Sequence, residues 1–272
     1  MDFFDNKLIQ DALDQRFAFI KLKVEDHILT LTLDRPEKKN ALHPHMVQEI
    51  AFAMQFAKQT SNIRAIVIDA EGDVFCAGAD LKAFMGMVGE FDSSIPRAKG
   101  EVLIGELFNK VHKPVITKVQ GKVLAGGFFF LAGANYVICN EGIKLGLPEV
   151  KRGLFPFQVM AALLEIMPKR IVVDWCIRGY DLDVSDAKNY GLITHITTPE
   201  TIDNTINTLL NEIKANSPTA IRLGLEALDT INKQESKHQY LMEMLQKTVG
   251  SKDGQEGLLA FREKRQPVWT GE

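Results

Sequence analysis

The chain has 272 residues, 46% hydrophobic and 25% charged, a globular composition that excludes the disordered and fibrous classes. Its 32 Lys and Arg against 35 Asp and Glu leave a net charge of −3, with no basic excess to neutralise a nucleic-acid backbone. Cys76, Cys139 and Cys176 are too few and too scattered for a disulfide framework, so they read as reduced core thiols.

The first sixteen residues carry four aspartates and two basic residues, unlike a signal or transit peptide. No apolar run approaches the roughly 20 residues that span a bilayer. A cytoplasmic protein with neither a membrane nor a nucleic-acid partner is predicted. Phe19 to Leu33 alternates in the β sense and stops at Asp34-Arg35-Pro36. From Pro44 the period lengthens, and Val47, Ile50, Ala51, Met54 and Ala57 predict an amphipathic helix.

Ala65–Ile68, Val115–Val119 and Tyr136–Cys139 are short apolar runs of the kind buried on both faces. Helical or glycine-rich stretches separate them, which predicts crossover units in a layered α/β fold. Ser185 is a candidate N-cap and Gly191 a helix stop. Ile202, Ile206, Leu209, Leu210 and Ile213 form one stripe, and the stretches after Ser217 and Ser236 continue helical. An α/β core over residues 1–190 and a helical region over 191–272 are expected.

Three spots carry candidate chemistry. Val74-Phe75-Cys76-Ala77-Gly78-Ala79-Asp80-Leu81 is a run of small residues that let a ligand approach backbone N–H donors; it is also compatible with a plain tight turn. Gly121 to Gly127 leads into Phe128-Phe129-Phe130, where glycines entering a helix offer N–H groups to an oxyanion or allow close packing. Leu147-Pro148-Glu149 places an acid after a rigid proline, either as a reactive carboxyl or as one paired with Lys151 and Arg152.

In this order the motifs resemble the crotonase (enoyl-CoA hydratase/isomerase) superfamily. The likeness begins at Arg35-Pro36 and Asn40-Ala41, and runs through Lys113-Pro114-Val115-Ile116 to Glu256-Gly257, Ala260-Phe261 and Lys264-Arg265. It implies a spiral (ββα) α/β core carrying the acyl-CoA site and a C-terminal helical region that builds a homotrimer or a hexamer. It also implies an enzyme acting on an acyl-CoA thioester, with no cofactor beyond the CoA of the substrate. The enolate oxygen is expected between the N–H groups of Ala77 and Gly126, with Glu149 as acid/base. Lys38, Asn40, Phe261 and Lys264 match positions near the 3′-phosphate and adenine of CoA. Gly78, Ala79, Asp80, Leu81, Gly127 and Phe129 are expected along the bound thioester, Asp80 anchoring its loop or capping the next helix.

The sequence departs from the hydratase pattern at one position. Where hydratases carry a first glutamate, twenty residues before the second, this chain has Phe129. A phenyl ring neither accepts a proton nor orients water, so a lone Glu149 is suited to moving a proton between C2 and C4 in double-bond isomerisation. Hydration, decarboxylation, thioester hydrolysis and CoA-ester binding without chemistry stay open. Phe128–Phe130 with Met85 and Met87 reads as an acyl pocket or as core packing. Cys76, His43, His45 and His112 read as structural, and no metal-ligand spacing appears.

Overall fold

The computed structural model describes residues 1–87, 89–231, 242–243, 245–246 and 249–268. A short helix α1 (Asn6–Gln10) precedes strands β1 (Ile20–Glu25) and β2 (Ile28–Leu33), which form an antiparallel hairpin. The predicted single β run from Phe19 to Leu33 is therefore two strands. Asp26 and His27 both take positive φ, the geometry of a tight two-residue turn, and such a turn leaves the alternation on either side unbroken.

Helix α2 (Pro44–Gln59) crosses to β3 (Ala65–Ala70), which pairs parallel with β2. Then come β4 (Val74–Cys76), α3 (Leu81–Phe84), α4 (Ile104–Val111), β5 (Val115–Val119) and β6 (Lys122–Leu124). Helix α5 (Phe128–Ala132), β7 (Tyr136–Asn140) and β8 (Lys144–Gly146) follow, then α6 (Phe157–Leu163), α7 (Lys169–Arg178), β9 (Asp181–Asp183) and α8 (Val184–Asn189). The chain closes with β10 (His195–Thr197), α9 (Ile202–Ala215), α10 (Pro218–Ile231) and α11 (Lys252–Glu263). Asp183, not Ser185, is the N-cap of α8, and Ser185 lies in its first turn. Gly191 follows that helix at φ +89°, where a residue without a β-carbon is at ease.

Among the described residues the strands make two sheets, in the orders β1-β2-β3-β5-β7-β10 and β4-β6-β8-β9. From β3 to β8 the chain lays strands alternately into the large sheet and the small one, so the fold winds as a spiral. The continuous apolar runs follow from this layering. In β3, Ile66 and Ile68 face the main core with Ile50 and Phe52 of α2, while Ala65 and Val67 face Ile202, Ile206, Leu210 and Ile213 of α9. A strand covered on both faces has no polar side to present. Strand β10 pairs parallel with β7, so the large sheet gains its last strand past residue 190, where the α/β core was expected to end.

Candidate active site

The small sheet sets up the site. Strands β4, β6 and β8 are parallel neighbours, so their C-terminal ends lie along one edge. The three segments leaving that edge are Ala77-Gly78-Ala79, Ala125-Gly126 and Leu147-Pro148-Glu149. Motifs spread over some seventy positions are thereby brought to one crevice beyond the strand ends, the usual ligand position in parallel α/β sheets.

The first expected donor needs correction. Ala77 N–H donates to the carbonyl of Lys39 at 3.0 Å and is not available to a ligand. Two residues on, Ala79 forms a parallel bridge with Leu42: Leu42 N–H donates to Gly78 O at 2.7 Å and Asp80 N–H donates to Leu42 O at 3.0 Å. Successive amides of an extended segment point to opposite sides, so the Ala79 amide faces away from Leu42. No carbonyl among the described residues accepts from it. Gly126 lies in the single 3₁₀ turn Ala125–Gly127, whose first amides have no acceptor within the turn.

The two loops touch. A β-carbon built on Gly126 would sit 3.7 Å from the Ala79 nitrogen. One built on Gly78 would sit 2.5 Å from Ala125 Cβ and 3.1 Å from Gly126 N, and Gly78 has φ +86°. Gly78 is thus glycine for conformation and for clearance. Ala125 holds φ +49°, an uncommon value for a residue with a side chain, and this places the strained residue beside the free amide. Gly127 serves packing beneath the site, because a β-carbon there would meet Cys76 and Val123 at 3.0 Å.

Glu149 enters on the 3₁₀ turn Pro148–Arg152. Its Oε2 is fully shielded and has no hydrogen-bond partner. Burial pushes its carboxyl up to about 7, against the opposing pull of its own backbone N–H and of Arg152. A cavity of about 160 Å³ is lined by Ala79, Gly126, Glu149 and Phe129, with an apolar wall that includes Phe84, Phe155 and Phe157. Phe129 also borders a second cavity of about 430 Å³ walled by Leu42, Val47 and Leu103. All three phenylalanines belong to the buried core, but Phe129 keeps 9% of its surface exposed whereas Phe128 and Phe130 keep none.

The remaining sequence candidates separate by role. Asn40 is buried, and its side chain is committed to the backbone: it accepts from Arg35 N–H at 2.8 Å and donates to the carbonyls of Glu71 and Val74, both at 2.8 Å. That corrects its expected contact with CoA, because no side-chain group is left over. Asp80 caps α3 through the amides of Lys82 and Ala83 and pairs with Arg35 at 2.7 Å, which is an anchoring role. Leu81 lines the first cavity. Lys38 and Lys264 are exposed and border neither cavity. Phe261 lies under the guanidinium of Arg152, 4.5 Å from Cζ to ring centroid, and stays 49% exposed. Met85 and Met87 are exposed, and neither lines these two cavities.

The thiols, His43 and His112 sit in positions that fit the structural role expected of them. Burial pushes the thiols of Cys76, Cys139 and Cys176 up to about 12. His43 caps α2, and His112 ends α4 while bonding Asp229 at 3.2 Å. Gln158, missed from the sequence, also lines the first cavity, as does Arg152, which the sequence offered only as an ion-pair partner of Glu149. Arg152 stands three residues after Glu149 in a 3₁₀ turn, a spacing that puts both on one face, but nothing local announces that turn type.

Residues 23–272 match the enoyl-CoA hydratase/isomerase family model. The chain belongs to that family. Among curated relatives, a mevalonyl-coenzyme A hydratase from Aspergillus fumigatus is 29% identical over 248 residues, covering 89% of this chain and 91% of the relative. A carnitinyl-CoA dehydratase from Escherichia coli is 30% identical over 252 residues, covering 90% and 95%. The solved structure of a carnitinyl-CoA hydratase from Mycobacterium avium superposes with a TM-score of 0.82 at 27% identity, over 94% of this chain and all of that one. The spiral of two sheets is accordingly the crotonase fold of the enoyl-CoA hydratase/isomerase family, with three neighbouring strand ends carrying its candidate site.

Proposed function

We propose that this protein is an acyl-CoA enzyme that works through a thioester enolate, with its oxygen held by the N–H groups of Ala79 and Gly126 and its proton moved by Glu149. The observation that carries this reading is the shielded Oε2 of Glu149, which has no hydrogen-bond partner, in the same small cavity as those two amides. Charge moving onto the thioester oxygen is stabilised by donors already fixed in place, and removing one such donor typically costs about 10²–10³ in rate.

Double-bond isomerisation fits this site best. Glu149 takes a proton from C2 of a 3-enoyl thioester, the electron pair delocalises onto the thioester oxygen, and the same carboxyl returns a proton to C4. No water is consumed, and Phe129 is the apolar wall such a step requires. Hydration is the second reading, favoured by the relatives named as hydratases and dehydratases. It asks for a group besides Glu149 to hold the water, and Phe129 supplies none. The deciding experiment is product analysis with crotonyl-CoA and a 3-enoyl-CoA, for the wild type and Glu149→Gln. Unchanged turnover of both by the variant would remove Glu149 from its role.

Lys38 and Lys264 are assigned to the phosphates of CoA, the latter reached from a neighbouring subunit in a trimer or a pair of trimers. Leu223 and Leu228 on α10, both about half exposed, support such assembly, and sedimentation of the full chain tests it. No helix of the described residues is long and apolar enough to cross a membrane, which fits the cytoplasmic placement we assign.

A further inference from the structure

We infer that Arg152, held against Phe261 of helix α11, is a positioning residue that keeps the carboxyl of Glu149 ionised, so that the C-terminal helix tunes the site. The inference rests on the assignment of Glu149 as the proton carrier. Its geometry begins with the turn Pro148–Arg152: residues three apart in a 3₁₀ helix eclipse one another, and Glu149 and Arg152 both line the same cavity. No carboxylate among the described residues, Glu149 included, lies within 4.0 Å of the Arg152 nitrogens. The guanidinium therefore acts on Glu149 through space. A locked ion pair would capture the carboxylate, whereas a cation slightly further off favours ionisation and leaves the oxygens free to take a proton.

Helix α11 fixes that cation. Phe261 stacks on the guanidinium at 4.5 Å. One turn earlier on the same helix face, Gly257 packs so closely that a β-carbon on it would lie 2.1 Å from the Arg152 carbonyl oxygen. The other groups around Glu149 carry no competing charge. Helix α7 presents Cys176, a neutral thiol; α11 presents Gly257 and Phe261; Lys151 turns its side chain toward Gly179; and Glu256 of α11 is engaged with Arg265. Arg152 is thus the charged side chain that faces Glu149 among the described residues.

The test compares Arg152→Met, Arg152→Lys and Phe261→Leu in the full chain. Two readouts are taken: the pH dependence of kcat/KM with a 3-enoyl-CoA, and a difference-infrared titration of the Glu149 carboxyl in the free enzyme, assigned by its loss in Glu149→Gln. Arg152→Met is expected to raise both midpoints by about one pH unit. Arg152→Lys restores most of the shift, and Phe261→Leu gives a smaller rise in the same direction. An unmoved midpoint in folded Arg152→Met, or a rate lost equally at every pH, overturns the inference. Should that variant not fold, the midpoint of Phe261→Leu decides. Full turnover by Glu149→Gln would instead strike the proton-carrier assignment, which the infrared titration reports separately from the influence of Arg152.

Discussion

Gly257 of α11 lies against the backbone of Arg152 with no room for a side chain: an added β-carbon would meet the Arg152 carbonyl oxygen at 2.1 Å, its carbon at 2.5 Å and the Gly153 nitrogen at 2.9 Å. These obstacles are backbone atoms in the loop that carries Glu149, so relief requires the helix or the site loop to move. Gly257→Ala is expected to destabilise the fold by about 1–3 kcal/mol and to lower kcat. Thermal denaturation beside steady-state kinetics checks both, and a variant matching the wild type in both would show the packing to be soft.

The raised proton affinity of Glu149 fixes the sign of two pH effects. As the proposed base it must be ionised, so turnover should fall as pH drops through about 7. Stability runs the other way. Between the ordinary carboxyl value of 4.5 and about 7 the folded protein binds more protons at this site than the unfolded chain, so this contribution weakens as pH rises. Glu149→Gln should therefore lose on the order of 10²–10⁴ in kcat and yet melt higher than the wild type at pH 8, with the difference fading near pH 4.5. Melting curves at the two pH values measure it.

Gly78→Ala tests the spacing of the two amide loops. The new methyl group would collide with Ala125 and crowd Gly126 N, at a backbone φ of +86° that alanine resists. The expected result is a kcat lower by roughly 10²–10³, as for loss of one oxyanion donor, in a protein that remains folded by circular dichroism. Ala77→Ser, by contrast, leaves the bond from its amide to Lys39 in place and should change kcat by less than about threefold.

Asn40→Ala should act on stability. It leaves the Arg35 amide and the carbonyls of Glu71 and Val74 short of partners in a buried loop, for a cost of about 3 kcal/mol. Lys38→Ala, two residues away on the surface, should leave the denaturant midpoint unchanged and raise KM for the CoA ester. Chemical denaturation and KM together separate the two positions.

The proposed chemistry rests on two amides and one carboxyl and calls on no metal. Dialysis against a chelator is expected to leave turnover unaltered; a loss restored by a divalent cation would contradict that assignment.

The layered α/β class, the apolar strands of the large sheet, the α9 stripe and the order of the three site motifs were legible in the chain, because each is a local pattern of side-chain size and polarity. So was the exchange of an acid for Phe129, which needs only the spacing to Glu149. The hairpin at Asp26-His27 was not, since period-2 alternation runs through a two-residue turn. Asn40 was misplaced for a related reason: a polar residue in a loop reads the same whether it faces a ligand or three backbone groups of its own chain.

The sequence by itself determined which residue types meet at the site, through motifs whose spacing commits them to successive strand ends. Only the tertiary structure decided which amide is free. Every residue but proline carries the same N–H, and whether Ala77 or Ala79 offers one depends on the carbonyls of Lys39 and Leu42, brought alongside from nearly forty positions earlier. The same holds for Arg152, whose neighbour Phe261 arrives from over a hundred residues downstream. Backbone partners and through-space charge are properties of distance, and a linear pattern of side chains does not encode distance between segments.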